Sequence, residues 1–222
     1  MTKKESALSK ALHYLSWRSR TQSEILTYLK DKGYDKDEIQ EAINRLNDYG
    51  YANDEKYVNQ VSENIKTNPR KGKYSIKSKM QHKGVSEELI CRAISNYDDS
   101  IDLDKAFLLA KSTFEHSQRL TWKKIIDKIF RQLSSKGFSS EVIQKTIKKI
   151  EHDPLIAQLY EARQDIHEEY AFLYAKKIYD QWRKKEKDRH VLRSKIQRSL
   201  YQKGYSTDII HQTTNIVMED DS

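Results

Sequence analysis

The sequence has 222 residues, with 36% hydrophobic against 33% charged side chains, a formal charge of +8 and a mean hydropathy of −0.91. That polarity excludes a large sheet core covered on both faces, and 2 Pro with 6 Gly supply too little turn chemistry for a many-stranded β protein. No apolar run approaches the roughly 20 residues of a membrane span, the start shows no secretory h-region, and the single Cys91 forms no intramolecular disulfide, so the expectation is a cytoplasmic, all-α protein.

In chain order, a first helix is expected over 6–15 (SALSKALHYL), and Thr21 with Glu24 has the form of a capping box opening a second. The second helix ends in LKDKGYDKDEI (29–39), where Leu29 faces the core and Lys32 offsets the negative end of the helix dipole. Gly33 then takes the left-handed C′ position and Asp35 caps a third helix. That helix carries the apolar stripe Ile39, Ala42, Ile43 and Leu46.

The same turn recurs as MQHKGVSEELI (80–90), LSSKGFSSEVI (133–143) and LYQKGYSTDII (200–210), so Gly84, Gly137 and Gly204 are equivalent to Gly33. Ser86, Ser139 and Ser206 are the matching caps. The third-helix stripes continue as Ile90-Ala93-Ile94-Tyr97, Ile143-Thr146-Ile147-Ile150 and Ile210-Thr213-Thr214-Val217. The last is the most polar, as expected of a terminal unit turned to solvent. Preceding helices are expected at 55–65, 106–114 and 171–179, and Pro154 to Glu169 reads as a lengthened or added helix. Four three-helix repeats follow, over 1–50, 51–100, 101–152 and 153–222, the last with a lengthened first helix, stacked as an elongated tandem array.

Charge segregates within these repeats. Lys66 to Lys83 holds seven Lys/Arg and no acid, Arg119 to Lys136 six against Asp127, and Arg183 to Lys203 nine against Glu186 and Asp188. Such stripes suit a phosphate backbone or an acidic protein surface, and they fall along one side of the array if the repeats stack in register. The tryptophans sit at the same corners, between first and second helices. Candidate contacts are Trp17, Arg18 and Arg20 in the first repeat, and Arg70, Lys71, Lys73, Lys77 and Lys79 in the second. The third contributes Arg119, Lys123, Lys124 and Arg131 beside Trp122, and the fourth Arg183, Lys184, Lys185, Arg189, Arg193 and Arg198 beside Trp182. Each Trp either covers the end of its own core or stacks on a base or partner.

No GxxxxGK[ST], GxGxxG or HExxH occurs, and the seven histidines are widely spaced. Cys91, beside core-facing Ile90, reads as a small packing residue. The acid pairs Asp98-Asp99, Glu168-Glu169 and Asp220-Asp221 read as helix-end charges. The expectation is a protein without catalytic or metal sites.

Residues 11–58 resemble the first repeat and following link of the RecX family, bacterial regulators of the RecA recombinase. The resemblance rests on Ala11-Leu12-x-Tyr14-Leu15, Arg18-x-Arg20, Ser23-Glu24-Ile25, Leu29-x-x-Lys32-Gly33 and Gly50-Tyr51-Ala52-Asn53-Asp54, with the KG turns extending it along the chain. Three repeats are usual in that family, and many members carry an N-terminal extension; here the match begins at the first repeat and a fourth is present. The resemblance implies a non-enzymatic, cofactor-free regulator that binds the RecA filament on DNA and inhibits ATP hydrolysis, strand exchange and coprotease activity. It thereby implies a role in recombination, DNA repair and the SOS response. Its expected partners are RecA and single- or double-stranded DNA, no membrane is involved, and it acts as a monomer. The residues alone fit equally a general DNA-binding helical array.

Overall fold

The computed structural model describes residues 5–219, and among them there are thirteen α-helices and no strand. Helices α1 (Ala7–Leu15), α2 (Gln22–Asp31) and α3 (Lys36–Asp48) form the first triple, and α4 (Asp54–Thr67), α5 (Tyr74–Gln81) and α6 (Glu87–Ser95) the second. The third is α7 (Asp99–Glu115), α8 (Trp122–Ser135) and α9 (Ser140–Glu151). Of the two readings of the segment before the fourth triple, a lengthened or an added helix, the structure has the added one: α10 (Pro154–Glu161) is a separate helix. The fourth triple follows as α11 (Gln164–Trp182), α12 (Arg189–Lys203) and α13 (Thr207–Glu219).

The turns form for the reasons read from the sequence. Gly33, Gly84, Gly137 and Gly204 all have positive φ, from +67° to +87°. At Gly33 the Tyr34 amide donates to Leu29 O and the Gly33 amide to Lys30 O, the paired bonds of a Schellman motif. Asp35 accepts from the Glu38 amide in a reciprocal capping box, and Ser86, Ser139 and Ser206 accept from Leu89, Val142 and Ile209. The last core-facing residues before each turn, Leu29, Met80, Leu133 and Leu200, are wholly buried.

The chain divides into two compact units. The first holds the residues up to Lys105 together with Lys136–Val142; the second holds Ala106–Ser135 and the residues from Ile143. The third turn thus belongs to the first unit, while most of the helices flanking it belong to the second.

Within each unit a turn rests on the start of an earlier second helix. The Thr21 hydroxyl, at the N-cap of α2, donates to Lys83 O at 2.6 Å. The Ser75 hydroxyl and the Gly72 amide donate to Lys136 O at 2.8 and 2.9 Å. In the second unit the Thr121 hydroxyl, just before α8, donates to Lys203 O at 2.6 Å. Each bond satisfies a helix-end carbonyl that the helix itself leaves unpaired. The approach is close. A Cβ at Gly137 would stand 2.6 Å from the Ser75 amide nitrogen, one at Gly204 would stand 2.9 Å from Lys123 Cβ, and one at Gly84 would strike the Ser23 side chain. At Gly33 a Cβ meets nothing within 4 Å.

Three expectations are corrected. Thr213 and Thr214 do not turn to solvent: both are buried, and Thr214 satisfies its hydroxyl by donating to Ile210 O at 2.6 Å. A threonine can occupy an apolar stripe because its own helix supplies an acceptor one turn back. Cys91 is exposed, since Ile90 takes the inward position and the next residue lies about 100° around the helix. Trp17 covers no core and is 79% exposed, whereas Trp122 and Trp182 are half-buried. Of the acid pairs, Asp220-Asp221 lies outside the described residues.

These turns separate two costs of replacing glycine. Gly33→Ala should lose about 1 kcal/mol, from the left-handed backbone alone. Gly137→Ala should lose about 2–4 kcal/mol, because the turn must also leave its seat on Ser75. Urea unfolding followed by circular dichroism measures both; equal losses would contradict the seating.

Candidate nucleic-acid interface

The basic corners are built by local packing that leaves some cations outward and ties others down. In the first, α1 ends at Leu15 and the chain crosses Trp17 to the Thr21 cap. Trp17 stands edge-on to His13 with centroids 6.4 Å apart. Arg20 lies 4.2 Å over the Tyr14 ring, which stacks on Tyr28 at 3.9 Å. Glu24, with 15% of its side chain exposed, gathers Arg18 at 3.7 Å, Arg20 at 3.5 Å and Lys83 at 2.5 Å. Burial alone would push the Glu24 carboxyl up. Lys83, the Thr21 amide and Arg20 outweigh it and hold the group below the ordinary carboxylate range. Three cations on one carboxylate leave a local positive excess, with Arg18 the most exposed of them.

The second corner is the loop between α4 and α5, fastened by a polar network that the sequence analysis did not single out. Asp102, fully buried, accepts from the Tyr97 hydroxyl at 2.7 Å and from the Lys73 amide at 2.7 Å. That second bond caps α5, whose own N-cap side chain makes none. The Lys105 ammonium lies 2.9 Å from Asp102 and donates to Lys71 O at 2.7 Å and Ile65 O at 3.2 Å. Burial first, then the bond to Asp102, pushes the Tyr97 hydroxyl far up, so it stays a donor. The signal was present: Asp102, Ala106, Ala110 and Phe114 follow one another at four-residue intervals on a single buried stripe of α7.

The seven cations from Lys66 to Lys83 are therefore not a free stripe. Lys66 pairs with Glu63, Lys73 with Asp99, Lys77 with Glu87 and Lys83 with Glu24. Arg70, Lys71 and Lys79 remain exposed and are in no ion pair among the described residues. Lys73, with 14% of its side chain exposed, belongs to the fastening of the loop.

In the second unit the stretch Arg119 to Arg131 is the least neutralised. Arg119 lies 5.2 Å over the Tyr170 ring, and Lys128 donates to the Ser117 hydroxyl at 2.9 Å. Arg131 donates from Nε to Asp127 O. Lys123 crosses the Gly204 turn and Lys124 is half-buried. None of these five is in an ion pair among the described residues. Trp122 beneath them packs edge-on against Phe114 at 6.2 Å and Tyr160 at 5.1 Å, and its amide donates to the Tyr160 oxygen.

The corner after α11 is more committed. Arg183 pairs with Asp180, and Lys195 sits 3.9 Å over Trp182 while pairing with Glu186. Lys185 lies 5.9 Å over the same ring. Arg189 donates to Met218 O at 2.7 Å, and Arg193 to the Asn215 side-chain oxygen. Lys184 and Arg198 are exposed. Among the described residues no group of three or more His, Cys, Asp or Glu is placed to hold a metal ion, and no helix is long and apolar enough to cross a membrane.

Known proteins resemble this chain in sequence and in fold. Residues 7–46, spanning α1 to most of α3, match the family model described as RecX, first three-helix domain. Residues 168–213 match RecX, third three-helix domain. The regulatory protein RecX of Lactococcus lactis subsp. lactis is 32% identical over 209 residues, covering 91% of this chain and 73% of that protein. The chain belongs to the RecX family. The Bacillus subtilis regulatory protein RecX is 30% identical over 209 residues, covering 94% of this chain and 75% of its own. The crystal structure of RecX from Lactobacillus salivarius superposes with a TM-score of 0.61 at 28% identity, over 65% of this chain and 94% of that one. The fourth triple is thus no divergent appendage: it is one of the two stretches that match the family's three-helix domains.

Glu24 gives the interface a pH-dependent support. Its carboxyl is depressed in the folded state, so its contribution is complete above the ordinary carboxylate range and is lost as pH falls through the folded value. Glu24→Gln should be less stable than the parent at neutral pH, and the gap should close as pH drops from about 5 toward 3. Urea midpoints across that range test it; a constant gap would remove the ion pairs as its cause.

Proposed function

We propose that the chain is a non-enzymatic regulator that binds the RecA–DNA filament and restrains RecA ATP hydrolysis, strand exchange and coprotease activity, and so modulates recombination, repair and the SOS response. It acts in the cytoplasm as a monomer. Family membership over more than nine-tenths of the chain is the observation that carries this reading. The exposed cations support a DNA-facing contribution: Arg70, Lys71 and Lys79 in the first unit, and Arg119, Lys123 and Arg131 in the second. Trp17 offers the first corner a ring able to stack on a base or a partner surface.

A general DNA-binding role without RecA is the second reading, favoured by the five unpaired cations between Arg119 and Arg131. RecA ATP hydrolysis on single-stranded DNA separates the two. Inhibition well below one molecule per RecA is expected for action on the filament, whereas inhibition only when the protein coats free DNA would leave simple competition.

If about four to six cations engage phosphate, log K against log salt should fall with a slope of about −3 to −4 on single-stranded DNA. Arg70→Glu with Lys71→Glu should weaken DNA binding and RecA inhibition together. Lys73 is left intact, because its reversal would place a carboxylate against Asp99 and undo the loop. Lost DNA binding with RecA inhibition undiminished would assign the regulation to protein contacts alone.

A further inference from the structure

The lysine–glycine turns of the second, third and fourth repeats are filled in one way. Each takes its donor from the start of the second helix one repeat earlier: Thr21 for Lys83 O, Gly72 and Ser75 for Lys136 O, and Thr121 for Lys203 O. The second residue of that helix, Ser23, Ser75 or Lys123, lies against the turn glycine. The first turn has no earlier repeat among the described residues. Its Lys32 carbonyl accepts no hydrogen bond from them, and a Cβ at Gly33 would meet nothing within 4 Å. Yet it is built like the others. Gly33 has φ +80°, and the bonds from Tyr34 to Leu29 O and from Gly33 to Lys30 O match those from Val85 to Met80 O and from Gly84 to Gln81 O. The Lys32 carbonyl is therefore aimed away from its helix as that of Lys83 is, and both Lys32 and Gly33 are exposed.

The filled turn at Gly84 shows what such a surface selects. Thr21 uses both ends of its hydroxyl: the oxygen accepts from the Glu24 amide as the cap of α2, and the hydrogen goes to Lys83 O. Only a hydroxyl side chain does both by rotating about one bond. Ser23 is small enough for the turn to close on it, and Glu24 takes the Lys83 ammonium at 2.5 Å. Lys32, the counterpart of Lys83, lies 5.6 Å over the Tyr28 ring and is in no ion pair among the described residues.

We propose that the Gly33 turn is a docking surface for another protein, one with a helix that begins in a Thr or Ser cap and carries a carboxylate three residues on. The cap hydroxyl donates to Lys32 O and the carboxylate pairs with the Lys32 ammonium, as Thr21 and Glu24 do for Lys83. A second copy of the chain does not fit. Its Thr21, Ser75 and Thr121 are already engaged within their own chain, and Asp188 at the last corner has no hydrogen to donate. A phosphate backbone does not fit either, because its oxygens only accept and so does Lys32 O. This surface is separate from the DNA-facing cations and does not rest on the RecA reading.

The test uses the full chain labelled with ¹⁵N-glycine. It is titrated at low salt with a short synthetic helix, stapled on its far face, that begins Thr-Gln-Ser-Glu as α2 does. The Gly33 nitrogen belongs to the same peptide group as Lys32 O, so its resonance reports a bond to that oxygen directly. A saturable Gly33 shift is expected, with a dissociation constant of about 0.1–1 mM. Gly84, Gly137 and Gly204 should not move, because their turns are filled. A probe with Ala in place of its Thr should bind about three- to tenfold more weakly. Lys32→Gln, an exposed substitution, should weaken binding about two- to fivefold. No saturable shift at Gly33, equal shifts at all four turns, or unchanged binding after either substitution would overturn the proposal. A Gly33 shift that grows with the concentration of the chain by itself would assign the turn to a second copy, and one produced by an oligothymidylate would assign it to nucleic acid; either result overturns the reading.

Discussion

A helix ends in carbonyls that its own backbone leaves unpaired, and three of the four lysine–glycine turns hand one such carbonyl to the start of another helix. The rest of the structure depends on that exchange. It requires a residue without Cβ at the turn, because the donor helix comes within van der Waals distance of the backbone there. It also requires a donor at the corner: Thr21 and Thr121 supply hydroxyls, while Gly72 supplies its amide and leaves Ser75 to provide the hydroxyl. Three of the four corners that carry the candidate contact residues are therefore also the seats of the turns. Basic residues and architecture share the same few positions.

That sharing explains why a run of cations in the sequence is not a measure of exposed charge. Lys83 places its carbonyl on Thr21 and its ammonium on Glu24, so one residue serves the seat twice. Lys73 gives its amide to Asp102 and its side chain to Asp99. Neither can be spared for phosphate without loosening the corner it builds. The cations that remain available form no ion pair among the described residues, and the stretch from Arg119 to Arg131 is richest in them. A surface ion pair contributes little stability by itself. Its larger consequence here is to decide which cations stay free.

The periodic features were legible because they are local. Turn glycines and N-caps follow from bonds within a few residues, and in all four copies these formed as read. The pairing of the basic runs was not legible, because Lys73 finds Asp99 and Lys83 finds Glu24 across long separations in sequence. Trp17 illustrates a different limit. Its neighbours resemble those of Trp122, yet Trp122 has Phe114 and Tyr160 to pack against, while the ring that meets Trp17 among the described residues is the edge of His13. Thr213 and Thr214 were misjudged because hydropathy counts a hydroxyl as polar even where the carbonyl one turn back satisfies it, as Ile210 does for Thr214. Asp102 is the opposite case: its register on the buried stripe announced a buried carboxylate, although not which donors would compensate it.

The four corners also differ in what they can offer to a turn. The place just before the second helix, held by Thr21 in the first repeat and Thr121 in the third, is held in the last repeat by Asp188. Its carboxylate is already occupied, capping α12 through the His190 and Val191 amides at 2.8 and 3.3 Å. A carboxylate cannot donate to a carbonyl, and two acceptors brought face to face would each lose solvation without gaining a bond. At the other extreme the Gly33 turn keeps the left-handed geometry of its counterparts, while a Cβ there would meet nothing within 4 Å among the described residues. A carboxylate at the Asp188 position caps α12 but has no hydrogen to give a backbone carbonyl, whereas Thr21 and Thr121 each give one.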